Sequence, residues 1–240
     1  MKASPPILAL LLVLSFLCGC QEDREEVLER NPMELVERSM MEIRSYGLEL
    51  EFSQGGKNLE ITGEISRELG MAHLVGSDGT EVYFDRGVAY VKRGDNWEFL
   101  SGLDLPDYLW IYSLIVRNLE NIRELGDEES LGCKKYHGEI SFEKYPGIFG
   151  DIPQNPFLFA PPPGDIDVNV CLSEDGVPKV LEMTSEGVGG ATCSVTGPES
   201  EGCSISEGFS VVIRFNRFNE IGSIDIPEEV KKSVRPRGGG

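Results

Sequence analysis

Histidine is nearly missing from this chain. His73 and His137 are the only two, and neither has neighbours at a spacing that suggests a metal site or a catalytic base. The G-x-S-x-G elbow, the H-E-x-x-H helix, the phosphate-binding P-loop and the glycine-rich dinucleotide fingerprint are absent as well. Gly187 to Gly190 follows a strand pattern but opens no helix, so it reads as a turn. The acidic stretches 127–129 and 199–201 lack the loop pattern that organises calcium ligands. No nucleophile, base and orienting group come together, so the chain is expected to be no enzyme and to use no cofactor or metal. Basic residues are scarce too. Lys and Arg number 22 against 41 Asp and Glu, a net charge of −19. That deficit argues against nucleic acid, whose backbone needs clustered cations, and against electrostatic docking on an anionic bilayer. Long apolar runs are missing beyond the first twenty residues, so no later segment is expected to span a membrane.

The N-terminus carries the strongest signal. Lys2 gives a short positive region, and Ile7 to Leu17 is apolar except for Ser15. Such a run is too short for a typical spanning helix and fits an export signal. Leu17-Cys18-Gly19-Cys20 follows, then abruptly Gln-Glu-Asp-Arg-Glu-Glu. The tetrapeptide resembles the lipobox of prokaryotic lipoproteins, which implies cleavage after residue 19 and acylation of Cys20. The expected layout is a signal at 1–19, a tether at 20–30, one domain at 31–230 and a disordered tail at 231–240.

Cysteine count then becomes informative. Cys18 leaves with the signal and Cys20 takes the lipid, so Cys133, Cys171, Cys193 and Cys203 remain, an even number in an exported chain. Cys133 and Cys171 lie on the polar faces of two strands that could pair antiparallel. Cys193 and Cys203 flank an acidic Gly/Pro turn as a hairpin staple would. The strand reading therefore selects Cys133–Cys171 and Cys193–Cys203; zinc is the rival, but no C-x-x-C pair exists.

Residues 32–46 read as one amphipathic helix. Asn31 can cap it, Pro32 suits its first position, and Val36, Met40 and Ile43 recur at helical spacing before Gly47. The period then changes to two. Leu48, Leu50 and Phe52 alternate with polar residues, as do Leu59, Ile61, Gly63 and Ile65, and further strands are divided by short Gly, Asp and Asn turns. That is an antiparallel meander. A second helix at 105–123 interrupts it, capped by Asp104 and apolar nearly all round in its first half. Strands resume at 133–142, 166–173, 177–186, 188–196 and 203–216, with a last short one at 223–226.

Residues 143–164 hold six prolines, which forbid regular structure through most of the stretch, and also Tyr145, Phe149, Phe157 and Phe159. A loop this apolar must be buried or must touch something apolar. It reads equally as a plug for one end of the sheet or as a functional loop: a lid or portal to an apolar cavity, a membrane-touching finger or a protein contact.

The layout resembles the LolA/LolB-like and LppX/LprG-like carrier lipoproteins. The residues that carry the resemblance are Leu17-Cys18-Gly19-Cys20, Met40 to Tyr46, Tyr83-Phe84 with Val88 to Val91 and Trp97, Ile166 to Leu172, and Ile224-Asp225-Ile226-Pro227. The resemblance implies an α+β, mostly β fold: a curved antiparallel sheet forming a half-open barrel, with helices on its concave face. It implies that the inner surface holds a lipid or other lipophilic molecule. Phe52, Ile61, Phe84, Tyr90, Trp110, Leu114 and Ile140 would line that cavity, with Phe149, Phe157 and Phe159 at its mouth. The chain would then be a lipid-anchored carrier outside the cytoplasm. The alternative is a tethered interaction module with a filled core, its protein partner at loop 143–164.

Overall fold

Strand alternation places apolar side chains on one face of a sheet, and burying that face needs a second layer. The computed structural model describes residues 32–144, 164–186, 191–195, 201–205 and 208–233. Cys20, Phe149, Phe157 and Phe159 lie outside those residues, as do the expected signal, the whole of the tether and most of the tail. Helix α1 (Pro32–Glu42) leads into β1 (Ser45–Gln54), β2 (Lys57–Ser66), β3 (Met71–Gly76), β4 (Glu81–Asp85), β5 (Val88–Arg93) and β6 (Asn96–Ser101). Helix α2 (Tyr108–Arg117) precedes β7 (Glu120–Glu128), β8 (Cys133–Ile140), β9 (Ile166–Leu172) and β10 (Pro178–Ser185). The hairpin β11 (Ala191–Val195) and β12 (Glu201–Ile205) stands apart as its own ladder; β13 (Phe209–Asn216) and α3 (Glu228–Ser233) end the described chain.

Eleven strands form one antiparallel sheet in the order β6-β5-β4-β3-β2-β1-β13-β10-β9-β8-β7. Two meanders are thus joined by the last strand: β13 pairs with β1 on one side and β10 on the other. The end strands β6 and β7 do not pair with each other, so the curved sheet stays open. The inner face carries Tyr46, Leu48, Leu50, Ile61, Ile65, Leu74, Phe84, Ile140, Val168, Leu181 and Ile213, all in one buried cluster with Val36 and Met40 of α1 and Tyr108, Leu109, Tyr112 and Ile115 of α2. Gly63 sits inward between Ile61 and Ile65; a Cβ there would meet Leu74 Cδ2 at 2.4 Å and the His73 carbonyl at 2.6 Å. The missing side chain lets Leu74 lie against the neighbouring backbone.

The outer face is charged in its middle, where Glu51 pairs with Arg214 and Glu64 with Arg217 across strands. Over β3 to β6 it is apolar instead. There Tyr83 packs with Ile224, Ile226 and Val230 of the C-terminal segment, and Met71, Tyr90 and Trp97 flank them. His73 stacks on Tyr83 with ring centroids 4.2 Å apart and also bonds Glu81 at 3.1 Å. His73 and His137 are both outer-face strand residues, His137 bonding Asn169 at 3.1 Å.

Several boundaries depart from expectation. Helix α1 stops at Glu42, and Ser45-Tyr46 already belong to β1, because Tyr46 is drawn into the core by the apolar period of the strand. Helix α2 spans only Tyr108–Arg117, and its N-cap is Asp107, not Asp104. Residues 120–128 are a strand, and 203–216 divides into β12 and β13. Ile224 and Ile226 are buried, but their segment is not a strand; it lies over the outer face of β3 to β6.

The Cys133–Cys171 disulfide joins β8 to β9, with Cα atoms 5.6 Å apart and a sequence separation of 38. It is packed with Val180 and Val212 on the outer face. Cys193 stands directly opposite Cys203 in the β11–β12 ladder. The closed loop takes in the proline-rich stretch, and a crosslink removes that loop's freedom from the unfolded chain. Replacing Cys133 and Cys171 together by alanine is expected to cost about 4 kcal/mol, read as a lower urea midpoint with a steeper slope, since the uncrosslinked denatured chain exposes more surface.

Candidate functional site

The helices are held on the inner face by three side chains that meet at one point. Asp107 caps α2, its Oδ1 accepting from the Trp110 amide at 3.3 Å. Tyr46 donates to the same oxygen at 3.3 Å and accepts from the Tyr108 amide at 3.0 Å. Two of the orphan amides at the start of α2 are thereby satisfied. Arg67 donates through Nε to Asp107 Oδ2 at 3.0 Å, and through Nη1 to the carbonyls of Met40 at 2.6 Å and Ile43 at 3.0 Å. One guanidinium therefore caps the end of α1 and neutralises the cap of α2. Burial, and then the Asp107 charge, pushes the Tyr46 hydroxyl well above the usual phenol range, so it stays a neutral donor.

Two further contacts fix α1. Ser39 donates to the carbonyl of Gly176 in the β9–β10 turn at 2.7 Å. Gly176 has φ +75°, and a Cβ there would lie 2.8 Å from Leu35, so only glycine lets the turn come this close to the helix. At the other end of α2, Arg117 pairs with Glu37 at 2.7 Å.

Of the expected lining residues, Ile61, Phe84 and Ile140 are fully inside, at 2%, 1% and 0% exposed. Phe52 and Leu114 are partly buried against the same cluster. Tyr90 does not face inward. Its neighbours Ala89 and Val91 do, and Tyr90 pairs across the strands with Tyr83 on the outer face. Trp110 is not interior either; at 37% exposed it projects from the solvent side of α2, which corrects the expectation that it lines the cavity, while Tyr108, Leu109, Ile111 and Tyr112 around it are buried.

Two recesses among the described residues border this layer. A cleft of about 370 Å³ has Leu59, Ile61, Val91 and Leu100 as its apolar walls and Asp78, Thr80, Lys92 and Arg93 at its rim. That volume falls at the small end of ligand pockets, roughly 300–1,000 Å³. A wider recess of about 570 Å³ lies beside the Arg67–Asp107 pair, lined by Met41, Ile43, Arg44, Glu68 and Leu105. Tyr108 and Tyr112, one turn apart on the buried face of α2, carry hydroxyls with no hydrogen-bond partner among the described residues. Sequence reading did not single out this pair, nor Arg67. The i, i+4 spacing of two tyrosines in an apolar helix was the available signal.

On the outer face, His137, Glu139 and Asp167 bring their ligand atoms within 4.8 Å of one another. The two carboxylates are exposed and Glu139 is bonded to Asn121. The trio is a solvated cross-strand cluster. Among the described residues, no helix is long and apolar enough to cross a membrane.

No protein-family model matches the sequence, and no curated protein matches it. Solved structures do. The lipoprotein LppX of Mycobacterium tuberculosis superposes with a TM-score of 0.51 at 9% identity, covering 81% of this chain and 96% of that one. LprF of Mycobacterium bovis gives a TM-score of 0.48 at 11% identity, covering 82% of this chain and 96% of that one. At such identities the likeness is one of fold. An open, curved antiparallel sheet with two helices on its inner face, matched over nearly all of LppX and four fifths of this chain, gives this chain an LppX-like fold.

Proposed function

We propose that this protein is an exported lipoprotein, acylated on Cys20, that binds a lipid or other lipophilic molecule between the sheet and helices α1 and α2. The observation that carries the reading is the unclosed sheet together with the cleft on its β2, β5 and β6 side, walled by the apolar residues Leu59, Ile61, Val91 and Leu100. The expected role is binding and transfer, not catalysis. The LppX-like fold and the lipobox point the same way. Mass spectrometry of the chain carrying Cys20→Ser, exported and purified without detergent, tests the reading. A stoichiometric co-purifying lipid is the expected result, and a clean apo protein that takes up no added lipid would overturn it.

A second reading has an observation of its own. Ile61, Phe84 and Ile140 are sealed in a continuous packed cluster, as in a core filled by its own side chains. A tethered interaction module would look the same. Deleting 157–159 then abolishes capture of a protein partner and leaves lipid content unchanged.

A further inference from the structure

Three tyrosines are wholly buried at the junction of α2 and the sheet: Tyr46, Tyr108 and Tyr112. The fold satisfies the first twice over, through the Tyr108 amide and Asp107. The hydroxyls of the other two have no partner among the described residues, although each is sealed from solvent. An unbonded hydroxyl in an apolar interior is a cost, and phenylalanine would fill the same space without it. Both lie on one face of α2, and the Tyr112 ring meets Phe215 edge-on at 5.7 Å.

The chemistry of a partner for this pair is restricted. Burial pushes both hydroxyls above the usual phenol range, so they are neutral donors. The nearby guanidinium of Arg67 is already spent on Asp107 and on the end of α1. A carboxylate or phosphate brought into this apolar interior would lose its hydration, with that guanidinium already engaged. An uncharged acceptor carries no such cost.

Resting on the lipid-binding reading above, we infer that the Tyr108 and Tyr112 hydroxyls are the polar contacts of the binding site and take the ester carbonyls of a neutral acyl glycerolipid. The two tyrosines stand four residues apart on one face of α2, a rise of about 6 Å along the axis, so one ligand can meet both side chains. The hydrocarbon would lie along the apolar inner face. Because the hydroxyls are sealed in the described state, the lipid enters by displacing α2 outward.

The test compares two probes, dipalmitoyl glycerol and its ether analogue dihexadecyl glycerol, which lacks the carbonyls. Both are delivered from cyclodextrin to the full chain carrying Cys20→Ser. Wild-type tyrosines are expected to favour the ester about tenfold, the yield of one to two neutral hydrogen bonds. In Tyr108→Phe/Tyr112→Phe the preference disappears, ether affinity is kept, and the melting temperature of the ligand-free protein does not fall. Equal binding of both probes by the wild-type pair overturns this inference and leaves the lipid-binding reading standing. So does a preference that survives the double substitution. A melting temperature several degrees lower in the Phe/Phe variant overturns it too, because the hydroxyls would then be bonded to buried water. Binding of neither probe sinks both readings.

Discussion

Cys20→Ser is expected to move the protein from the membrane pellet to the soluble extracytoplasmic fraction almost completely. The wild-type chain should incorporate labelled fatty acid, and the variant none. The size of the effect follows from the chemistry of anchoring. One acyl chain gives only marginal, reversible membrane binding, and stable attachment needs two lipid signals. Lipoprotein-type acylation of a single cysteine supplies them together, so its loss should lower the pellet-to-soluble ratio at least about a hundredfold. Two features argue against another mode of attachment. Its charge is −19, so an anionic bilayer repels it. Among the described residues no helix is long and apolar enough to span. A variant that still sediments with membranes, unlabelled, would show that attachment runs through a protein partner and would favour the interaction-module reading.

Much of the fold is legible in the sequence because buried strands have a period and turns have a chemistry. β1, β2, β9 and β10 each expose one face to the core, so their apolar residues alternate cleanly, and the polar-face positions of Cys133 and Cys171 follow from that alternation. Where no face is buried, the signal vanishes. β7 is an edge strand with nearly every residue exposed, and its register shifts near Asn121 and Gly126, both at positive φ. Ile122 and Leu125 are exposed on it at 44% and 53%, so their spacing says nothing of a core. Its run of alternately charged and apolar residues therefore resembles the polar half of a helix. Tyr90 misleads for the opposite reason. The outer face of β3 to β6 is itself covered by Ile224, Ile226 and Val230, so a large aromatic can point away from the main core and still be partly buried. The interior at that point instead holds Ala89, set opposite Phe84. Size alone cannot tell two buried faces apart.

The candidate site was less legible than the fold, because it depends on contacts between residues far apart in the chain. Arg67 follows β2 in a turn and looks like any surface arginine. Only the folded chain brings it to Asp107, 40 residues on, and to the last carbonyls of α1. Tyr46 is readable as apolar but not as a capping partner for a helix that starts 62 residues later.

That three-way junction gives the last prediction. Arg67→Ala removes a guanidinium that is only 29% exposed, strands the Asp107 carboxylate at 24% exposed, and uncaps α1. Taking one partner from a buried pair costs about 3–5 kcal/mol, and the partial exposure here places the loss near the lower half of that range, about 3–4 kcal/mol. For a chain of this size the melting temperature should drop by about 8–12 °C. Asp107→Ala should cost about as much, since it removes the cap of α2 together with the ion pair. The two losses must not add. In a double-mutant cycle the Arg67→Ala/Asp107→Ala chain should recover about 1–2 kcal/mol relative to the sum, because neither charge is then left without its partner. Additive losses would mean the two side chains act separately, and the helices would then be held to the sheet by apolar packing alone. If the lipid enters by displacing α2, the same junction is the hinge about which the helix turns. Arg67→Ala should therefore speed lipid exchange while it lowers stability, whereas Val180→Ala, in the separate outer-face cluster beside the disulfide, should lower stability and leave the exchange rate as it was. Equal exchange rates in all three proteins would separate the junction from the entry path.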